Sequence, residues 1–526
     1  MHDGNSNKIG VIEAVCYCVS DIVGSGIFIS PTSILKHSGS LGLSLCIWAG
    51  SAFISMIGAL VYVELGTTIR KSGCDFAYLT HAKWYPFASA FIFTAVTLSY
   101  PGVLAIQAMA FGEYVIKGIN MAADTDFKTS DSILPRLIGF SALLPLTFIN
   151  LFSLKKIAGR FQVVVTIAKL LVVLLIIVTG FWFIIVKGKT SNFHDGFKDT
   201  TRSADDIVLA LYNGLFAYNG WDILNFGTEE IENPRRTLPI AAFAGISIAA
   251  VVYVSMNLAY FSVLTVEEFK NSDTVAVDFA RKTLGDFSYA IPFLIAMLLL
   301  SSMNSTIFGS SRYLFAGSKQ GVLPSMFRCV HPTSMSPRAA ILVEVVVAIG
   351  ISFIGNLDHI LSYMTFAIWM QRTVVQVALV YMRWKKFPVP DDAFQNPIFV
   401  PITFFCICIA LLVIPVKTDW TVGIYAVGFV ILGFIIYFVF VFPKKLPQFL
   451  HKINETTVIC TQLALDTMPV PLNDDALSTD PIKEIPTSTV SSIEVSWSTL
   501  PSETVRSRKN TNKVAPGDDD RISYRF

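Results

Sequence analysis

The sequence predicts an all-α membrane protein of twelve transmembrane helices, two of them broken. Three observations carry that expectation. Hydrophobic residues make up 53% of the 526-residue chain and charged residues 15%, with a mean hydropathy of +0.59, whereas a soluble domain carries nearer 25% charge. Apolar runs long enough to cross a bilayer, about 20 residues each, recur along the chain. Two of those runs are interrupted by glycine beside a polar residue, at Gly24-Ser25-Gly26 and at Asn219-Gly220.

The runs fall near 9–35, 42–67, 84–118, 134–152, 158–186, 205–231, 238–264, 287–316, 339–355, 358–384, 398–416 and 420–442. An even number places both termini on one side of the membrane. Short basic connections mark that side as cytosolic: Arg70, Lys71 and Lys83; Lys155, Lys156 and Arg160; Arg235 and Arg236; Lys319, Arg328 and Arg338; Arg383, Lys385 and Lys386. Lys187 and Lys198 sit on the opposite side, so the bias is modest. The first ten residues are polar and no A-x-A-like site follows, which argues against a cleavable leader.

The first run holds the stretch CVSDIVGSGIFISP, Cys18 to Pro31. Two glycines around a serine disfavour continuous helix by roughly 2 kcal/mol relative to alanine. A break at membrane depth frees backbone groups that lipid does not satisfy, so it is tolerated where it lines a polar cavity. The amides of Ser25, Gly26 and Ile27 would open a second half-helix, whose positive end suits a carboxylate. The carbonyls of Ile22 and Val23 would close the first half and suit a cation. Together they describe a receptor for a zwitterion. LFAYNGWDILN, Leu215 to Asn225, interrupts the sixth run in the same manner. Paired interruptions in corresponding halves point to a transporter site built on inverted repeats.

In the fifth run Lys169 lies about 12 residues from the cytosolic start, roughly 18 Å along a helix. Asp21 lies about as deep in the first run, and ionisable groups at such depth are usually functional. An Asp21–Lys169 ion pair tying helix 1 to helix 5 is the structural expectation. Proton or sodium sensitivity, or affinity for a cationic substrate, are the functional ones. Arg372, in the tenth run, either pairs with Glu344 or faces a wet cavity.

Beyond the last run, 443–470 reads as a cytosolic juxtamembrane segment with a short amphipathic helix carrying Ile453, Val458, Leu463 and Leu465. From 471 to 526 the Ser-, Thr-, Asp- and Pro-rich composition predicts a disordered cytosolic tail. Its end, Tyr524-Arg525-Phe526, suits strand addition to a PDZ-type groove, and an unbound end is the plainer alternative. The transporter domain thus spans 9–442, after a cytosolic start at 1–8. The eight cysteines fall in spans or cytosolic segments, where structural disulfides are not expected. There is no Cys/His metal spacing; neither a metal nor another cofactor is expected, and a net charge of +2 signals no nucleic-acid partner. Sequons at Asn304 and Asn454 sit in a span and in the juxtamembrane segment, so neither is expected to carry a glycan.

Over roughly 8–470 the chain resembles the light subunits of the L-type amino acid transporter family, in the amino acid, polyamine and organocation superfamily. The resemblance rests on GSGIFISPTSIL (24–35), GALVYVELGTTIRKSG (58–73), LALYNGLFAYNGWDILNFGTEEIENPRRTLPIA (209–241), TVAVDFA (274–280) and SSRYLFAGSKQGVLPS (311–325). It implies a LeuT-type fold, with helices 1–5 and 6–10 as inverted repeats, broken helices 1 and 6, and two further helices. It implies amino acid exchange at the plasma membrane, mostly without sodium, often beside a single-span heavy chain. Carried over by position, Gly24, Ser25 and Gly26 would take the substrate carboxylate. Ile22 with the carbonyls of Phe216 and Ala217 would take the amino end. Phe216 would gate the site, Trp221 would line it, and an uncharged Asn219 would favour neutral substrates. Lys169 would replace the sodium of coupled relatives.

Two departures stand out. The family usually has threonine or asparagine where this chain has Asp21, while Asp222, in GWD, is shared with y+L-type members that accept cationic amino acids. The family's heavy-chain cysteine in the loop after helix 3 is also missing: 118–135 contains none, which excludes that disulfide and leaves non-covalent pairing open. The leading expectation is therefore a sodium-independent exchanger of neutral, large amino acids working by alternating access. A y+L-like exchanger of cationic amino acids and a non-transporting amino acid sensor are the alternatives. An enzyme is disfavoured, because no nucleophile, base and orienting group share a usable spacing. A channel is disfavoured too, for want of a continuous polar lining.

Overall fold

The computed structural model describes residues 9–71, 73–125, 127, 133–151, 155–332, 336–353, 357–443 and 447–472, without the side chains of 155–168, 229–230, 357–358 and 418. The expected N-terminal segment 1–8, nearly all of the expected tail and the Tyr524-Arg525-Phe526 end lie outside the described residues.

The first apolar run folds as α1 (Val11–Ile22) and α2 (Gly26–Ser38), bent by 50° across residues 23–25. Residues Leu41–Thr68 form α3, started by Ser40, whose Oγ accepts from the Leu43 amide at 3.3 Å, the usual way a first-turn amide is satisfied. A short α4 (Cys74–His81) precedes α5 (Tyr85–Thr94), which continues through a π-helical turn (Ala95–Ser99) into α6 (Tyr100–Ala123). Then come α7 (Leu134–Leu151) and α8 (Lys155–Ile185).

Ser203 caps α9 (Ala204–Ala217), which stops at the second break; a 3-10 segment (Ile223–Glu230) follows. Pro234 opens α10 (Pro234–Val263), where a missing amide costs nothing. The remainder runs α11 (Val266–Lys270), α12 (Val275–Thr283), α13 (Ala290–Lys319), α14 (Arg338–Ile351), α15 (Leu357–Trp384), α16 (Phe399–Thr418), α17 (Trp420–Ile436) and α18 (Gln448–Leu465).

Among the described residues seven helical stretches are long and apolar enough to cross a membrane, and eight if α1 and α2 count as one bent span. The expectation of twelve is met to that extent. Of the other four, α9 is cut to 14 residues by its break, α14 has 14, α15 carries Gln371, Arg372, Gln376 and Arg383, and α8 counts as a shorter apolar helix over Lys169–Ile185. Exposed apolar side chains such as Phe53, Leu144, Leu174, Phe243, Val251 and Val413 cover the outside, while Glu64, Asp222, Glu344 and Arg372 are buried. That inversion of the soluble pattern suits a lipid exterior.

Glu64 on α3, 2% exposed, accepts from Arg383 on α15 at 2.5 and 2.8 Å, and Asn396 donates to it from its amide and side chain at 3.1 Å. Arg383, expected as a loop charge, is thus a structural ion-pair partner. At the other end of the chain β1 (Cys329–Val330) pairs antiparallel with β2 (Met468–Pro469). Asn454 of α18 exchanges hydrogen bonds with Ser325, and Arg338 donates to the Leu465 carbonyl at 2.5 Å. Both sequon asparagines are therefore engaged, since the Asn304 side chain accepts from Asn150 at 2.8 Å. All eight cysteines are free thiols, and burial pushes that of Cys329 up to about 11.

Candidate functional site between the two helix breaks

The breaks face one another because α2 packs on α9 and α1 on α10. Contact is close: a Cβ added at Gly26 would lie 2.5 Å from the Cα of Ala217. Gly220 holds φ +107°, a left-handed conformation suited to glycine, and a Cβ there would collide with the Asp21 carboxylate. The glycines of both breaks thus bring two interrupted backbones together, as well as ending helices.

Around the first break, Gly24 donates to the Ile22 carbonyl at 2.7 Å and Phe28 to the Ser25 carbonyl at 3.0 Å. The amides of Ser25, Gly26 and Ile27 donate to no backbone carbonyl outside the helices among the described residues. They open a 13-residue half-helix whose positive end suits an anion. The Ser25 side chain is 8% exposed and accepts a long 3.5 Å bond from Gln107 of α6, whose Oε1 accepts from Thr306 of α13 at 3.0 Å.

The carbonyls expected for an ammonium are occupied. Tyr253 of α10, fully buried, places its hydroxyl 2.5 Å from the Ile22 carbonyl oxygen and 2.9 Å from that of Ala217. The hydroxyl bridges the ends of both broken helices. Phe216 lends its carbonyl to the Asn219 amide at 3.1 Å, and its side chain is 9% exposed. Trp48 and Tyr218 pack against the Tyr253 ring at 5.3 and 4.9 Å. Nothing in the local sequence AAVVYVSMN distinguishes Tyr253 from a packing aromatic, so sequence reading missed it.

Lys169 and Asp21 do not form the expected ion pair at contact distance. The Lys169 ammonium donates instead to the Ser20 carbonyl at 3.2 Å. Asp21 is exposed, with its carboxylate against Gly220. The tie between α1 and α8 survives through a backbone acceptor, which any residue at position 20 would supply.

Arg372 does not pair with Glu344. Its Nη2 donates to Asp222 Oδ2 at 3.2 Å and to Asn219 Oδ1 at 3.0 Å, and its guanidinium lies 4.5 Å from the Trp221 ring centre and 5.1 Å from that of Trp369. Trp221, 2% exposed, is held between this cation and the Tyr62 ring, centred 5.1 Å away in an edge-to-face contact. Beside them Gln371 donates to Asp75 Oδ2 at 2.6 Å. Glu344, fully buried on α14, stands apart from Arg372. Asp75 escaped sequence reading because α4 reads as a loop, and Gln371 because its partner there could not be seen.

One cavity, of about 740 Å³, opens at the far end of the 3-10 segment, lined by Arg70, Thr228, Asn233, Arg235, Arg236 and Asp392, and so away from the breaks. No cluster of three or more His, Cys, Asp or Glu side chains suited to a metal occurs among the described residues.

Comparison with known proteins bears on the family of the chain. The family described as amino acid permease matches residues 9–461. The chain is 44% identical over 481 residues to amino acid transporter protein 6 of Caenorhabditis elegans, covering 90% of this chain and 91% of that one. It is 33% identical over 465 residues to the human cystine/glutamate transporter, covering 88% and 91%. It is also 33% identical over 464 residues to the mouse b(0,+)-type amino acid transporter 1, covering 88% and 93%.

Proposed function

We propose, from the premise that the chain belongs to the amino acid permease family, that it exchanges neutral amino acids across the plasma membrane, independently of sodium. It is a multi-pass membrane transporter and not an enzyme. Alternating access about the two breaks is the mechanism, in a twelve-helix, LeuT-type arrangement with both termini cytosolic. The observation that carries the reading is the meeting of the Ile22 and Ala217 carbonyls, one from the end of each broken helix, at the Tyr253 hydroxyl, beside the break across which the amides of α2 begin. Amides at a helix start offer donors to a carboxylate, and carbonyls at a helix end offer acceptors to an ammonium.

In this reading Gly24, Ser25, Gly26 and Ile27 receive the carboxylate. The carbonyls of Ile22, Val23, Phe216 and Ala217 receive the amino group, which displaces the Tyr253 hydroxyl from part of its bonding. Phe216 is the gate, and Asn219 with Trp221 bounds the side-chain end. Lys169, bonded to Ser20, is a fixed cation that supports sodium-independent operation. Engagement of Asp222 by Arg372 favours neutral over cationic substrates. The protein works without a disulfide to a heavy chain through the loop after α6, and any such partner pairs non-covalently; its Tyr524-Arg525-Phe526 end is offered to a PDZ-type groove.

Uptake of radiolabelled leucine and arginine by cells expressing this chain alone, with and without sodium and after amino acid preloading, tests the reading. Sodium-independent leucine uptake that rises with preloading is the expected result. Arginine uptake would move the protein to the y+L-like type, and no uptake despite surface labelling would favour a sensor.

A further inference from the structure

Arg372 touches two residues of the second break, and the chemistry of its donors fixes what each has left to offer. A guanidinium donates hydrogen bonds and accepts none. The Asn219 amide therefore presents its oxygen to Arg372, at 3.0 Å, and its Nδ2 faces away. That Nδ2 donates to no other group among the described residues, and Asn219 is half-buried, unlike its fully enclosed neighbours Tyr218, Gly220 and Trp221. Asp222, 9% exposed, is engaged by the same Nη2 at 3.2 Å. The Trp221 and Trp369 rings beside the guanidinium restrict its movement.

We infer that Arg372 is a specificity-determining positioning residue: it withdraws Asp222 from cation recognition and turns Asn219 into a hydrogen-bond donor toward the bound side chain. The substrate class this selects is neutral amino acids whose side chain accepts a hydrogen bond, such as glutamine, over arginine and lysine. The selection rests on the proposed substrate site between the breaks.

The test uses the full chain in proteoliposomes, with radiolabelled leucine uptake competed by unlabelled leucine, glutamine or arginine. In the wild type, glutamine competes and arginine does not. Asn219→Gly and Arg372→Lys each lower the potency of glutamine relative to leucine about 5- to 10-fold, the worth of one hydrogen bond. The double variant falls no further than either single one, because Arg372 acts through Asn219; a merely structural role for Arg372 would not give this coupling. Arg372→Gln frees the Asp222 carboxylate and makes arginine a competitor, an effect that Asp222→Asn in the same background removes.

An unchanged glutamine-to-leucine ratio in Asn219→Gly, whose fold does not depend on the ion pair, would overturn the inference while leaving the transporter reading intact. So would arginine competing as well as glutamine in the wild type. Absence of leucine, glutamine and arginine flux, with no thermal stabilisation by any of them, would overturn the transporter reading and this inference with it.

Discussion

Gly26 touches Ala217 so closely that a methyl group on the former would lie 2.5 Å from the Cα of the latter. The start of α2 and the end of α9 therefore meet backbone to backbone. The clash is with main chain, which does not swing aside as a flexible side chain would. Gly26→Ala should cost about 1–3 kcal/mol, the range for overpacking, and should reduce leucine uptake per surface-labelled molecule at least tenfold. Gly24→Ala, where the nearest atom is the Asp21 carbonyl oxygen at 3.3 Å, should be milder. Equal effects would deny the close approach any special part.

The Tyr253 hydroxyl serves the carbonyls of Ile22 and Ala217 at once. Tyr253→Phe keeps the ring packed on Trp48 and Tyr218 and removes only the donor. Loss of the donor to buried carbonyls costs about 1–3 kcal/mol, so the melting temperature without substrate should fall. Saturating leucine should recover part of the loss if, as proposed, its ammonium donates to the same oxygens. Thermal unfolding in detergent with and without leucine checks both halves of the expectation.

Lys169 bonds the Ser20 carbonyl and makes no contact-distance pair with Asp21. Lys169→Met should slow leucine uptake at least fivefold. Asp21→Asn, which keeps the shape of the side chain beside Gly220, should cost less stability than Lys169→Met. Uptake rates and melting curves of the two variants separate the cases: a matched loss of stability in both would restore the ion pair.

Glu64 accepts from Arg383 and Asn396 in a buried setting. Removing one member of a buried pair costs about 3–5 kcal/mol, because the other is left uncompensated. Glu64→Ala should sharply reduce the folded yield in size-exclusion chromatography. Arg383→Ala should cost at least as much, since it leaves the Glu64 carboxylate, 3% exposed, with only Asn396 donating to it, whereas Glu64→Ala leaves an arginine that is 26% exposed and still donates to the Asn396 carbonyl.

Helix positions and breaks were legible in the chain itself. The break expected at Gly24-Ser25-Gly26 lies at residues 23–25, and the one expected at Asn219-Gly220 follows Ala217. Apolar length, glycine and proline act within a few residues of where they stand, so they can be read in order. The long motifs at 24–35 and 209–241 were equally legible, and family membership follows from matches of that kind. Less visible were α4, too short and polar to read as helix, and the pairing of Cys329–Val330 with Met468–Pro469 across some 140 residues.

Composition and local pattern by themselves determined that this is a membrane protein of broken helices, with backbone donors and acceptors freed at two breaks in the chain. Tertiary structure decided who meets whom: Arg372 with Asp222 and Asn219 and not Glu344, Lys169 with the Ser20 carbonyl and not Asp21, and Tyr253 with both helix ends. Residues about 150 or 230 positions apart come together only through the rotation and tilt of packed helices. Since a helix turns 100° per residue, a partner's identity changes with a rotation that leaves the sequence pattern untouched.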